Sequence, residues 1–418
     1  MQRQYKKINI CNAENRKKIN KNSKKILYKL FQINTKLCLQ NKLIQGRMKM
    51  RLFKKLTAVT IASVCALSLA ACGGGSKPAE TTAASSESKE ESKAAESVSE
   101  AVAATGKDVK DIKVGISIYK FDDNFMTLYR NELVRYLTEE VGIPAENVVV
   151  QDGKNDQAEQ TNQINNFIAT KVDVMILNLV QSSSAPTVTD LAKEAGIPVV
   201  YINREPDEAE ESRWAADGIK ATYVGADARQ SGTFQGEEIA ELDNKGDING
   251  DGTVKYIMIQ GDPENIDAQY RTEYSVKALT EKSGLKAEQL SIQRGDWDQA
   301  KGQQITQDAL TQYGNDIEVI FCNNDAMALG ALQAINAAGR KVGEDIYIVG
   351  VDALAEAVQN VSEGKMTGTV FNDFISQAQA AAKAAVSFTN GEKVDTKIPV
   401  DYVKVTKENA AEILELVK

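Results

Sequence analysis

Acids, amides and two arginines fall just past the ends of the chain's apolar, β-branched runs. Asp122 and Asp123 follow the run that ends at Tyr119, with Phe125 two residues on. Asn203 and Arg204 follow Ile202, and Asp262, Asn265 and Asp267 follow Ile259, with Arg271 one helical turn beyond Asp267. Asp296 and Trp297 follow Gln293, Asn324 follows Cys322, Asp352 follows Val351, and Asn372 follows Phe371. Asp and Asn also cap helix N-termini, which accounts for many of these singly. Capping does not account for their company with Phe125, Trp297 and Arg271. Planar carboxylates and amides suit neighbouring hydroxyls, each of which donates and accepts, and arginine adds a rigid fork of donors. The C–H faces of a pyranose are flat and apolar and pack on aromatic rings, so Phe125 and Trp297 read as two plates of a clamp. The chemistry these residues point to is recognition of a sugar in a cleft.

Other chemistries are excluded or disfavoured. The chain has no histidine, so Ser–His and Cys–His catalysis and His-built zinc sites are ruled out. Neither GxxxxGK[ST] nor GxGxxG occurs. Of five cysteines only Cys322 follows Cys72, so the later chain has no disulfide framework; lying in an apolar run, Cys322 reads as a buried, inert thiol. A glycosidase would need two carboxylates, such as Asp123 and Asp267, roughly 5 Å apart around a glycosidic oxygen. A cleft that encloses one monosaccharide leaves little room for a leaving group. A transcription regulator would need a helix-turn-helix ahead of the core, where this chain carries other segments.

Elements that could position these residues alternate along the chain. Strands are expected at 112–119, 147–151, 172–178 and 198–203, with helices at 126–141, 157–171 and 185–195 between them. The pattern recurs with strands at 223–225, 255–260, 290–293, 319–322, 347–351 and 368–371, and helices near 230–242, 269–283, 297–312, 326–338 and 354–363. Strands alternating with helices mean parallel sheets covered on both faces. About 310 residues suffice for two cores, so the fold class expected is α/β, with two doubly wound parallel-sheet lobes. In such sheets ligands sit beyond the carboxyl ends of the strands, where the acids, amides and aromatics fall.

At these residues the chain resembles the bacterial galactose/glucose-binding proteins of ABC sugar uptake. The segments that carry the resemblance are 118–126 (IYKFDDNFM), 203–206 (NREP), 323–328 (NNDAMA) and 350–354 (GVDAL), and it runs from about Ile112 to the C-terminus. It implies a type I periplasmic-binding-protein fold, with residues 109–226 plus 372–399 as one lobe and 227–371 plus 400–418 as the other, joined by three crossovers. Carried over by position, the sugar ligands are Asp123, Asn203, Asp267, Arg271, Asn324, Asp352 and Asn372, with Phe125 and Trp297 stacking on the two faces. The family commonly has His at the position of Asn265, which bears on the choice between glucose and galactose. The implied partners are one monosaccharide, ABC permease subunits and a chemoreceptor or other sensor. The protein is expected to be a monomer and no enzyme, with ribose or xylose as the alternative ligand.

The segment 247–255 (DINGDGTVK) has a calcium-loop rhythm, with oxygens from Asp247, Asn249, Asp251 and Thr253 at alternate positions and a glycine for the sharp turn. The twelfth place is Met258, so it is no EF-hand. The resemblance supplies the bidentate acid from a distant position, Glu318, and implies structural Ca2+. Lys255 stands where the family has a neutral oxygen, and its ammonium is expected to weaken calcium or replace it.

The N-terminal hundred residues differ in kind. Residues 1–55 hold 17 of the 50 Lys+Arg and one of the 58 acids, which leaves 33 basic and 57 acidic residues in 56–418. That acidic balance argues against a nucleic-acid partner. Residues 1–47 are rich in Lys, Asn and Ile and are read as a leader annexed ahead of a start at Met48 or Met50. A basic cluster, the apolar run from Leu56 to Leu69 and Leu69-Ala70-Ala71-Cys72 read as an export signal over 48–71 with lipidation on Cys72. Residues 72–108, dominated by Ala, Ser, Glu and Lys, read as a disordered tether. Together they predict an extracytoplasmic protein held to the membrane by lipid.

Overall fold

The computed structural model describes residues 107–418. The leader, the export signal, Cys72 and nearly all of the tether lie outside the described residues.

Two sheets organise the chain. The first is built from β1 (Val114–Ile118), β2 (Val148–Asp152), β3 (Val174–Leu177), β4 (Val199–Ile202) and β5 (Ala221–Gly225). Its sixth strand, β11 (Lys397–Pro399), comes from near the C-terminus, and the order is β11-β5-β4-β3-β1-β2, parallel throughout. Every residue of β1, β3, β4 and β5 is buried, because helices cover both faces, as a parallel sheet requires. Those helices are α1 (Asn124–Arg135), α2 (Gln157–Ala169), α3 (Ala185–Ala195), α4 (Glu208–Asp217) and, from the later chain, α10 (Phe374–Thr389). The second sheet has β6 (Thr253–Gln260), β7 (Lys286–Arg294), β8 (Val319–Cys322) and β9 (Tyr347–Val349) in the parallel order β7-β6-β8-β9. Around it lie α5 (Ala228–Ala240), α6 (Ile266–Ser283), α7 (Gln299–Tyr313), α8 (Asp325–Ala337), α9 (Ala355–Ser362) and α11 (Ala410–Val417).

A two-stranded antiparallel ribbon, β10 (Thr369–Phe371) with β12 (Val403–Val405), lies beside β9 through single bridges at Val349–Gly368 and Asp352–Phe371. The chain therefore passes between the sheets three times: after β5, after β10 and between β11 and β12. The two lobes share three covalent crossings, and residues at the ends of strands from both sheets meet around one cavity.

Several elements differ from the sequence reading. Helix α4 is absent from it because Glu208–Asp217 is acid-rich and buries only Glu210 and Trp214, so its apolar stripe is one residue wide. Trp214 nevertheless anchors it, stacked on Tyr201 with ring centres 5.2 Å apart. Helix α7 begins at Gln299 rather than Trp297, because Asp296 and Trp297 both hold positive φ, 52° and 64°, which no right-handed helix accommodates. Asp298 caps it instead, accepting from the Lys301 N–H at 2.8 Å. The sequence reading also stops at α9 and so omits α10, α11 and strands β11 and β12. Cys322 is a free, fully buried thiol, and burial pushes its pKa well up.

Candidate functional site

The residues singled out in the sequence converge where the two sheets' strand ends face each other. Asp123, Phe125 and Asn203 from the first lobe, and Asn265, Asp267, Arg271, Trp297, Asn324 and Asp352 from the second, line one small cavity of about 30 Å³. Asn372 does not line it. It lies one layer back, 2% exposed, donating from Nδ2 to Asp352 Oδ1 at 3.3 Å and accepting from Gln377 at 2.6 Å. The resemblance counts it among the sugar ligands; here its amide is hydrogen-bonded to Asp352, which lines the cavity, and to Gln377 on α10.

Each lining group is fixed by its element. Asp123 is the N-cap of α1: its Oδ1 accepts from the Met126 N–H at 2.7 Å, which aims the carboxylate along the strand end. Its Oδ2 accepts from the Tyr119 hydroxyl at 2.6 Å. Phe125, 5% exposed, leans edge-on against Tyr129. Asn203 adopts φ +60°, a left-handed conformation that Asn tolerates better than most residues. Asn178 holds it there, donating to its Oδ1 at 3.1 Å.

The second lobe uses the same device twice. Asn265 caps α6 by accepting from the Asp267 N–H at 3.0 Å, and Asn324 caps α8 by accepting from the Met327 N–H at 3.0 Å. Both amides therefore spend their oxygen on the helix; Asn265 keeps its NH2 free of protein partners among the described residues, while Asn324 Nδ2 also donates to the Trp297 carbonyl at 3.5 Å. Trp297 is set by its positive φ and by Gly261 opposite; a Cβ at Gly261 would overlap the indole ring. Asp352 holds φ 119°, followed by Ala353 at 54°. Strained non-glycine backbone of this kind costs on the order of 1–3 kcal/mol per residue and clusters at ligand sites.

Arg271 is the electrostatic centre. It is 3% exposed, and Gly232 on α5 lets that helix approach the Arg271 backbone closely, where a Cβ would sit 3.0 Å from its Cα. Nη1 donates to the Asn323 carbonyl at 2.8 Å, and Nη2 donates to the Tyr402 hydroxyl at 3.1 Å. Two carboxylates flank it, Asp267 at 3.8 Å and Asp352 at 4.0 Å. One guanidinium serves both, and burial outweighs its pull: Asp267 is pushed up to about 6 and Asp352 well above the ordinary carboxylate range. Asp267 Oδ1 and Arg271 Nε are buried and find no hydrogen-bond partner among the described residues. Such orphans are uncommon and costly, about 1–3 kcal/mol each. Both belong to residues that line the cavity, and hydroxyls of a ligand would satisfy both.

Sequence reasoning left three lining residues out of the ligand set, Tyr119, Met126 and Arg204. The Arg204 guanidinium lies 3.8 Å from the centre of the Tyr119 ring, and Nη1 donates to the Val180 carbonyl. All three stand close to residues that were singled out: Tyr119 directly follows β1, Met126 follows Phe125, and Arg204 follows Asn203. Outside the inner cavity is a wider hollow of about 620 Å³ that shares Arg204 and Asn265 with it. Its other walls are mainly charged, among them Glu205, Asp207, Glu208, Arg229 and Lys397. It is larger than the inner cavity, yet it lacks paired aromatic plates, so the inner cavity is the candidate binding site.

The calcium-like loop also forms. Asp247 Oδ1 accepts from the Gly250 and Asp251 N–H groups, and its Oδ2 from Gly252 at 2.9 Å. Glu318, 2% exposed, does reach the loop: Oε1 accepts from Ile248 and Asn249, and Oε2 from the Lys255 N–H at 2.8 Å. The Lys255 ammonium lies 3.3 Å from Asp251 Oδ2. Among the described residues no group of three or more acidic, Cys or His side chains is disposed to hold a metal ion. With an ammonium at the ninth place and Glu318 already taken by N–H donors, the loop as folded does not fit calcium.

A hinged pair of parallel-sheet lobes with ligand-type side chains between them defines a binding protein that closes on a small solute. The profile of the periplasmic binding protein domain family matches residues 114–393, and the chain belongs to that family. The D-galactose/methyl-galactoside binding periplasmic protein MglB of Haemophilus influenzae is 37% identical over 318 residues, 73% of this chain and 92% of that protein. The ribose import binding protein RbsB of Bacillus subtilis is 26% identical over 290 residues, 69% of this chain and 85% of that protein. A crystal structure of an ABC transporter solute binding protein from Bacillus halodurans with bound myo-inositol superposes with TM-score 0.63 at 30% identity, covering 74% of this chain and 99% of the other. These relatives are transport binding proteins, and the chain is a binding protein rather than an enzyme.

Proposed function

We propose that this protein is the extracytoplasmic sugar-binding component of an ABC importer, and that its inner cavity takes galactose or glucose. The observation that carries the reading is the pair of buried, unpartnered polar atoms, Asp267 Oδ1 and Arg271 Nε, on residues lining a cavity that Phe125 and Trp297 also line. A hexose supplies what that surface lacks. Its hydroxyls donate to Asp123, Asp267 and Asp352 and accept from Asn203, Asn265, Arg271 and Asn324, while its C–H faces lie on the two rings.

Binding proceeds by lobe closure. The inner cavity is lined by residues of both lobes, so a sugar held there is enclosed between them. Its walls must part for the sugar to enter, and the wider hollow past Arg204 and Asn265 is the way in. Sugar touches both lobes and so favours the closed form over the open one. The closed shape is what the permease, and a chemoreceptor or other sensor, would recognise. Lipid on Cys72 would keep the monomeric protein near that permease, with residues 72–108 as its leash.

The near relative named for D-galactose and methyl-galactoside supports galactose. Asn265, in a position where the resembled family has His, bears on the choice between galactose and glucose, and the ribose-binding relative favours a second reading in which the ligand is another monosaccharide such as ribose or xylose. Isothermal titration with galactose, glucose, ribose and xylose separates them. Micromolar or tighter binding of galactose or glucose supports the proposal; tight binding of ribose or xylose alone replaces it with the second reading.

A further inference from the structure

The loop that follows α5 has the outline of a calcium site and a different occupant. Counting from Asp247, the side-chain oxygens fall at places one, three and five, Gly252 makes the sharp turn at place six with φ +84°, and place nine is Lys255. Calcium loops put a neutral oxygen or a water at place nine and collect six to eight oxygens around the ion. Here that place delivers an ammonium, and it lies on the carboxylate at place five, 3.3 Å from Asp251 Oδ2. The remaining acids are spoken for. Asp247 accepts three backbone N–H groups through its two oxygens, and Glu318 accepts three more, from Ile248, Asn249 and Lys255. Glu318 thus staples the start of the loop to the start of β6 through hydrogen bonds, the mechanical task a bidentate metal ligand performs.

We propose that this loop carries its own cation: the Lys255 ammonium replaces calcium, and the protein holds this corner of the second lobe without a metal. A tethered charge needs no ion from the surroundings, so folding of the lobe becomes independent of external calcium. Lys255 and Asp251 are partly exposed, with 23% and 43% of their side chains accessible, so the pair itself adds modestly to stability. What it changes is which ion the loop accepts, because a fixed positive charge at place nine repels a divalent cation and removes one of its oxygens. This inference is independent of the sugar assignment.

Calcium titration calorimetry and thermal melting of the full-length protein test it, in wild type, Lys255→Gln and Lys255→Met. Wild type should give no calcium heat up to millimolar concentration and should melt at the same temperature in chelator and in calcium. Lys255→Gln restores a neutral oxygen, and it should take up one calcium per chain and melt about 4 °C higher in calcium than in chelator. Lys255→Met removes the charge without adding an oxygen; it should melt about 2 °C below wild type in chelator and ignore calcium. Stoichiometric calcium uptake by wild type overturns the proposal. So does a Lys255→Gln protein that stays silent to calcium, or a Lys255→Met protein that melts like wild type in chelator.

Discussion

Asp267 and Arg271 stand one turn apart on α6 and face each other at 3.8 Å, too far for a hydrogen bond, each with a buried polar atom left over. A pair arranged only for stability would close that gap. Asn323 and Tyr402 hold the Arg271 guanidinium by its two terminal nitrogens, and Asp267 and Arg271 both line the cavity with that capacity left over. Replacing Arg271 by Lys keeps the charge and loses the planar fork. Truncating one partner of a buried, hydrogen-bonded charge typically costs 2–5 kcal/mol or more, so R271K should weaken sugar binding at least about thirtyfold. Titration calorimetry measures it, and affinity within threefold of wild type would show that the fork is not used.

The carboxylate of Asp267 makes affinity pH-dependent. Its pKa in the free protein is pushed up to about 6, by burial first and against the pull of Arg271. Sugar hydroxyls donate to the ionised form and so pull that pKa down on binding. Binding therefore releases a proton when the pH is near or below 6. Affinity is full above that value and is lost as pH falls through it, by up to about tenfold per pH unit. Calorimetry in buffers of different ionisation enthalpy reads the released proton. In Asp267→Asn affinity should be lower and the dependence flatter; an unchanged pH profile in that variant would assign the titration to another group.

Trp297 and Gly261 form one device, since the missing Cβ at Gly261 is what admits the indole. Loss of the plate in Trp297→Ala should cost about 2 kcal/mol of buried apolar contact, a roughly thirtyfold rise in Kd. The change in tryptophan fluorescence on binding should vanish with it, because Trp214 is fully buried against Tyr201 in the first lobe. Gly261→Ala should reproduce the affinity loss by displacing the ring. A Gly261→Ala protein with wild-type affinity would mean that the ring does not touch the ligand.

Asn372 separates support from contact. Acting through Asp352, it should matter less than Asp352 itself: Asn372→Ala is expected to lower affinity about fivefold, near 1 kcal/mol for one lost hydrogen bond, and Asp352→Asn by more. The order of the two Kd values, measured side by side, decides it. A larger loss for Asn372→Ala would return Asn372 to the ligand set.

The strand runs were legible in this sequence because β1, β3, β4 and β5 are buried on both faces and read as continuous apolar β-branched stretches. Helix α4 was not, since one buried Trp214 and one buried Glu210 make no stripe. Helix α10 is apolar mostly through alanine, which carries little periodic signal. At the site, Asp123, Asn203, Asn265, Asp267, Asn324 and Asp352 were legible because each follows a strand or opens a helix, and Arg271 because it stands one turn beyond Asp267. Tyr119 and Arg204 were hidden by their own neighbours, since an aromatic at a strand end and an arginine in a turn have ordinary surface explanations. Tyr402 and Asn323, which hold Arg271, come from a crossover and a strand end whose proximity to α6 only the fold reveals. The left-handed backbone of Trp297 was likewise invisible, and it shifted the start of α7 by two residues.

Closure on a hexose is the claim on which the rest depends, and a crystal structure grown with galactose and with glucose tests it most directly. One sugar ring should lie between Phe125 and Trp297, with Asp267 Oδ1 and Arg271 Nε each within hydrogen-bond distance of a hydroxyl. A sugar bound instead in the wider hollow lined by Glu205, Arg229 and Lys397, with those two atoms still unpartnered, would contradict the account.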